Sequence, residues 1–259
     1  MLPVAVLLAA AFGCTSAPAE PPAPTEVRVL SSNGVKSVID DLRPEIERAV
    51  GHALSIEFST AASLKTKIEG GEAFDVAILT PALIDNLIAQ GKVAADSRTD
   101  VARAGVGVGT RQGAPAVDIS TPEALKSTLL KARSVTFTAE GQSRTTIDRA
   151  FDTLGIADAM RPKIILKGPG ESPEAVASGD AEMVITLMSE ILPVPGIQLV
   201  GPLPAALQGY VSFTAGRSST ARDAGAANAL LRYLSDPAVA AAMKAHGLDA
   251  AAAGAPSTR

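Results

Sequence analysis

One unit recurs along this chain: a short apolar run of strand composition, a loop of small hydroxyl-bearing residues, and a stretch with helical spacing. VRVL at 27–30 leads into SSNG, after which Val35, Val38, Ile39, Leu42 and Ile46 return at helical intervals up to Gly51. Pro44 inside that run predicts a kink or the start of a second helix. LSIEF at 54–58, the loop STAA and a helix through Leu64 and Ile68 that stops at Gly70-Gly71 repeat the order. DVAIL at 75–79 then runs into Thr80-Pro81, a cap and first-turn pair for a helix carrying Leu83, Ile84, Leu87 and Ile88. Strands alternating with helices imply an α/β architecture, a mostly parallel sheet covered on both faces.

The length of 259 residues allows two lobes, since domains commonly hold roughly 100 to 150 residues. GVGVGT at 105–110 has no helix directly after it and reads as a strand that carries the chain into a second lobe. There STPEALKSTLL reads as a capped helix, SVTFT as a strand, AEGQS as a loop and RTTIDRAFDTLG as a helix. KIIL, a helix near 173–178 and the strand EMVITL follow. The Pro- and Gly-rich segment 192–216 suits a return connection, with strands at 197–200 and 210–214. Helices at 222–234 and 237–246 are expected to pack back on the first lobe, giving lobe I as 26–103 plus 216–250 and lobe II as 104–215. The run after Leu248 lacks apolar periodicity and is expected to fray, with 251–259 a flexible tail.

Leu2 to Phe12 is an apolar run followed by Gly13-Cys14, the pattern of an export signal ending at a lipoprotein signal-peptidase site. It is too short for a span, which needs about 20 residues. Cys14 is then the lipidated first residue of a membrane-anchored lipoprotein, with ordinary signal cleavage as the alternative, and the location is periplasmic or otherwise extracytoplasmic. Pro18, Pro21, Pro22 and Pro24 favour an extended spacer, so 1–25 is read as signal plus spacer.

Cys14 is the sole cysteine, which excludes an internal disulfide or a cysteine zinc cluster, and His52 and His246 are too few for a histidine metal site or a His-dependent catalytic set. No metal or cofactor is expected. A net charge of −4 with no basic run argues against nucleic acid. The absence of Trp and the presence of only two Tyr argue against aromatic ligand walls. No Ser-His-Asp set or phosphate-binding GxxxxGK[ST] loop is present, so an enzyme is not expected.

In open α/β sheets ligands sit beyond the carboxyl ends of the strands, where helix N-termini present unpaired N–H groups that favour an anion without formal positive charge. The loops at those places carry Ser31, Ser32, Asn33 and Gly34; Ser59, Thr60 and Ala61; and Ser143, Arg144 and Thr145. They are candidate contacts for a small anion, against the alternative that each loop only caps its helix. Glu190, just after EMVITL, repels an anion unless it faces away, and Asp75 reads as a cap or hinge residue.

The segment from VRVLSSNG to GEAFDVAIL, with the closing NALLRYLSDPAVAAAMKAHGL, resembles the molybdate-type extracellular solute-binding proteins of ABC importers. The resemblance spans Glu26 to Leu248 and implies a type II periplasmic binding protein fold, two lobes joined by two crossing strands that close on the ligand. It also implies a monomeric receptor that delivers to an ABC permease. The hydroxyl positions of that family fall here on Gly34, Ala61 and Leu187, none of which carries a hydroxyl, leaving Ser31, Ser32, Ser59, Thr60 and Ser143 as neighbours able to substitute. Two other functions stay open: a surface lipoprotein with a sensory or interaction role, and an enzyme on the same scaffold.

Overall fold

A computed structural model describes residues 26–251. The first three units form as the periodicity predicts. Strand β1 (Val27–Ser32) passes through a 3-10 turn at Asn33–Val35 into α1 (Lys36–Val50), β2 (Leu54–Ser59) into α2 (Ala61–Glu69), and β3 (Val76–Leu79) into α3 (Pro81–Ala89). Of the two outcomes expected at Pro44, a restart does not occur: α1 continues through it as one helix. Pro44 lies on the exposed face beside exposed Arg43 and Glu45, so the Asp40 carbonyl it leaves unbonded turns to water while Val38, Ile39, Ile46 and Val50 form an unbroken buried stripe. Thr80 precedes α3, but its hydroxyl makes no cap bond; its carbonyl accepts from the N–H groups of Leu83 and Ile84 instead.

The chain continues through β4 (Thr99–Arg111), α4 (Pro122–Lys131), β5 (Val135–Thr138), α5 (Arg144–Leu154), α6 (Ala157–Met160), β6 (Ile164–Lys167) and α7 (Glu171–Ser178). After these come β7 (Met183–Leu187), α8 (Met188–Ile191), β8 (Ile197–Pro202), β9 (Tyr210–Arg217), α9 (Ala224–Leu234), α10 (Ala240–Ala245) and β10 (Leu248–Ala250). The sheet runs β2-β1-β3-β9-β4-β7-β5-β6. Each lobe keeps a parallel trio, β2-β1-β3 in one and β7-β5-β6 in the other, and the antiparallel pairings all involve β4 or β9. Two lobes joined through crossing strands are thus realised by β4, whose first half pairs with β9 and whose second half pairs with β7 and β8.

Glycines decide how β4 is covered. Val106 and Val108 are fully buried, while Gly105, Gly107 and Gly109 alternate with them. A Cβ at Gly107 would stand 2.7 Å from Met188 Cγ and 2.9 Å from the Gly201 carbonyl, and one at Gly109 would stand 3.0 Å from Ile191 Cγ2. The bare strand face therefore lets α8 lie directly upon it. That four-residue helix is too short to leave a periodic signal.

The run after Leu248 does not begin to fray at once: Leu248–Ala250 pairs antiparallel with Ala102–Ala104, and the Ala251 N–H donates to the Val101 carbonyl. Burial of Leu248 and the open edge of β4 hold it there. The closing helices return to the first lobe, where the Tyr233 hydroxyl donates to Glu45 on α1 and Leu230, Leu231 and Leu234 join the core of Val38 and Ile46. Asp75 fastens the same lobe, accepting from the Arg28 N–H, the Arg222 N–H and the Arg222 guanidinium. Burial alone would raise its pKa, but those bonds outweigh burial and hold the carboxyl below its ordinary value. The export segment, Cys14 and the residues beyond 251 lie outside the described residues. Among the described residues no helix is long and apolar enough to cross a membrane.

Gly107→Val forces side-chain volume against Met188 and the Gly201 backbone, so urea unfolding should report a loss of about 1–3 kcal/mol. Stability equal to that of the parent would show that α8 is free to move off β4.

Candidate functional site

Four places where a strand hands over to a helix meet between the lobes. They enclose a cavity of about 20 Å³ lined by Ser32 and Asn33 after β1, Ser59 and Thr60 before α2, Thr138, Gly141, Gln142 and Ser143 before α5, and Leu187 and Glu190 around the start of α8. The lobes touch beside it. The Ser37 hydroxyl donates to the Ser189 carbonyl at 3.3 Å, and Gly34 packs so closely that a Cβ there would stand 2.2 Å from Phe213 Cζ and 2.9 Å from Leu187 Cδ1. A wider cleft of about 420 Å³ adjoins the cavity and shares Asn33 and Glu190 with it.

The structure brings together Ser32, Asn33, Ser59, Thr60 and Ser143 of the residues singled out from sequence, and sets the others back from the cavity wall. Ser31 is fully buried with its hydroxyl bonded to the Ser32 carbonyl. Gly34 and Ala61 are packing positions, Ala61 in a core with Leu64 and Leu30. Arg144 gives both Asp148 carboxylate oxygens a hydrogen bond of 2.8 Å and lies over the Phe137 ring, while Thr145 is exposed. An arginine one helical turn before an aspartate finds its partner on its own helix, which is why it does not turn into the cavity. The capping alternative divides the loops. Thr60 accepts from the Ser63 N–H and caps α2, whereas the side chains of Ser32 and Ser143 make no cap bond.

Thr138 lines the cavity without having been considered, and Gln142, Leu187 and Glu190 line it too, the first as part of the loop at 141–145, the second as a position lacking a hydroxyl and the third as a carboxyl expected to face away. Their one signal in the sequence is place: Thr138 and Leu187 are the last residues of buried strands, and Gln142 lies in the AEGQS loop. Among the described residues no group of three or more His, Cys, Asp or Glu is placed to hold a metal ion.

The sequence profile of a family described as bacterial extracellular solute-binding protein matches residues 27–249. The chain belongs to that family. Aconitate isomerase from Pseudomonas sp is 32% identical over 230 residues, covering 86% of this chain and 87% of that protein. Among solved structures, the periplasmic molybdate-binding protein of Azotobacter vinelandii superposes with a TM-score of 0.72 at 17% identity, covering 86% of this chain and 98% of that one. The sulfate-binding protein SubI of Mycobacterium tuberculosis gives 0.71 at 13% identity, covering 88% of each chain. At such identities the structural likeness shows the fold, a type II periplasmic binding protein.

In this solute-binding protein the cavity wall has an unusual charge balance. No Lys or Arg lines it, and its one carboxyl is Glu190. Burial pushes the Glu190 carboxyl above the ordinary range, and the hydrogen bond from the Thr186 hydroxyl, which lowers it, is the weaker influence. Burial therefore favours its neutral form, which can donate a hydrogen bond where an ionised carboxylate would repel an anion. Such a group stabilises the fold below the ordinary carboxyl pKa of 4.5, and that contribution is lost as pH rises through its raised value. Urea unfolding between about pH 4.5 and pH 8 should accordingly show wild type losing stability relative to Glu190→Gln, with a slope of at most about 1.4 kcal/mol per pH unit. Parallel pH profiles for the two proteins would mean that Glu190 ionises freely.

Proposed function

We propose that this chain is the extracytoplasmic receptor of an ABC importer and captures a small anion in the cavity between its lobes. The observation that carries the reading is the meeting of strand-to-helix handovers from both lobes at one partly open cavity with polar groups in its wall. Helix N-termini at Thr60 and Ser143 offer N–H groups and the positive ends of helix dipoles, and exclusion of water strengthens both. Ser32, Asn33, Ser59, Thr60 and Ser143 are the direct contacts on this reading, while Ser31, Gly34, Ala61, Arg144 and Thr145 lie off the cavity wall. The partner is the importer's permease, Cys14 is the point of lipid attachment, and the receptor works as a monomer. The sulfate- and molybdate-binding relatives support the reading through their shared fold.

A thermal-shift panel of molybdate, tungstate, sulfate, phosphate and small carboxylates tests it. An anion at about a hundred times its Kd should stabilise the mature body by roughly 2.7 kcal/mol, and Ser32→Ala or Ser143→Ala should weaken the effect. A panel with no shift ends the capture reading.

The 32% identity to an aconitate isomerase favours a second reading, acid–base isomerisation of an unsaturated carboxylic acid in the same cleft. Glu190 is the titratable side chain on the cavity wall and supplies a proton donor. Incubation with either aconitate isomer, followed by chromatography, separates the two: the receptor reading expects binding without conversion, and conversion abolished by Glu190→Gln would establish the enzyme.

A further inference from the structure

Among the described residues three buried side-chain polar atoms have no hydrogen-bond partner: Gln142 Nε2, Gln142 Oε1 and Ser189 Oγ. Buried polar groups are rarely left unpaired in a protein of fixed conformation, and these belong to the two compartments of one cleft. Gln142 lines the cavity of about 20 Å³, Ser189 lines the adjoining cleft of about 420 Å³, and Glu190 lines both. The amide is a donor at one end and an acceptor at the other, and because both ends are unpartnered the argument does not depend on which way it is turned. A ligand that completes this wall offers an acceptor to Nε2, a donor to Oε1 and a further polar group to Ser189. The inner compartment has room for one small polar head; the rest of the ligand must pass Asn33 and Glu190 into the outer cleft.

We propose that the cargo is a small organic hydroxy acid, its carboxylate and hydroxyl hydrogen-bonding Gln142 from both ends while its remainder reaches Ser189. A fully deprotonated tetrahedral oxyanion presents acceptors alone, so it leaves Oε1 facing a negative oxygen and, filling the inner compartment, leaves Ser189 unmet. The charged groups that face Glu190 across the outer cleft are Lys36 and Asp40 on α1 and Glu171 and Glu174 on α7. Lys36 is already paired with Asp40 and lies over the Phe58 ring. This rim carries more carboxylates than ammonium groups and disfavours a tail with many negative charges, which limits the cargo to one or two carboxylates.

The inference rests on the capture reading, and titration calorimetry on the mature body separates the two. Lactate against propionate and malate against succinate are pairs matched in charge and nearly in size that differ by one hydroxyl, with sulfate and molybdate as the bare oxyanions. At least one hydroxy acid should bind about tenfold or more tighter than its deoxy partner and than either oxyanion, because a site built to bond a hydroxyl rejects the analogue that lacks it. Gln142→Leu should bring that preference below about threefold, and Gln142→Met provides a second apolar replacement should the first lower the melting point. If sulfate or molybdate binds as tightly as both hydroxy acids, or if each pair agrees within about threefold, the hydroxy-acid assignment falls while anion capture stands. If no compound binds, both fall.

Discussion

The close seating of α8 on the glycine face of β4 is the contact on which the rest of this molecule depends. Gly105, Gly107 and Gly109 remove side chains from one face of the strand that joins the lobes, and Met188 and Ile191 occupy the space. With its backbone so close to the crossing strand, α8 delivers Ser189 and Glu190 to the cleft from the same point where β4 changes partners from β9 to β7. Valines on the opposite face bury fully, so the crossing strand is packed on one side and closely overlaid on the other. The cavity and its buried carboxyl are placed by one alternating Gly-Val segment.

The electrostatic character of the cleft follows from what is missing around it. A cavity without Lys or Arg in its wall holds negative charge through N–H groups at helix starts and through neutral donors, which are fixed in place and need no counter-charge. Arg144, the cation nearest in sequence, is neutralised by Asp148 on its own helix, and Lys36 by Asp40 on its own. Glu190 fits this arrangement because burial raises its pKa and so favours the neutral carboxyl. Gly34 and Leu187 meet each other across the lobes, and Gln142, Ser143 and Glu190 supply polar groups to the cavity wall beside them.

Much of this was legible from residue order. Apolar runs of four to six residues followed by helical spacing located β1 to β3 and α1 to α3 because those elements bury one continuous stripe each. The small polar loops were legible as places that could line a cleft, since a strand end followed by a helix start leaves N–H groups unpaired wherever it occurs. Pro44 misled because proline's cost depends on whether the carbonyl it orphans faces water, a property of helix orientation. Leu248–Ala250 misled because its strand exists only by pairing with a distant edge. Glu190 was legible only as a group that must face away from an anion, and Gln142 only as one residue of a polar loop, since neither belongs to a spacing that differs from an ordinary loop.

The sequence by itself determined the element order, the α/β class, the crossing strand and the rule that polar loops gather at one end of each sheet, because those follow from local periodicity and backbone hydrogen bonding. Only the tertiary structure decided which side chains from those loops share a cavity, that Arg144 and Lys36 are spent on neighbouring carboxylates, and that burial raises the pKa of Glu190. Each of those outcomes depends on distances between residues far apart in the chain and on how much water the closed lobes exclude, quantities that residue order does not carry.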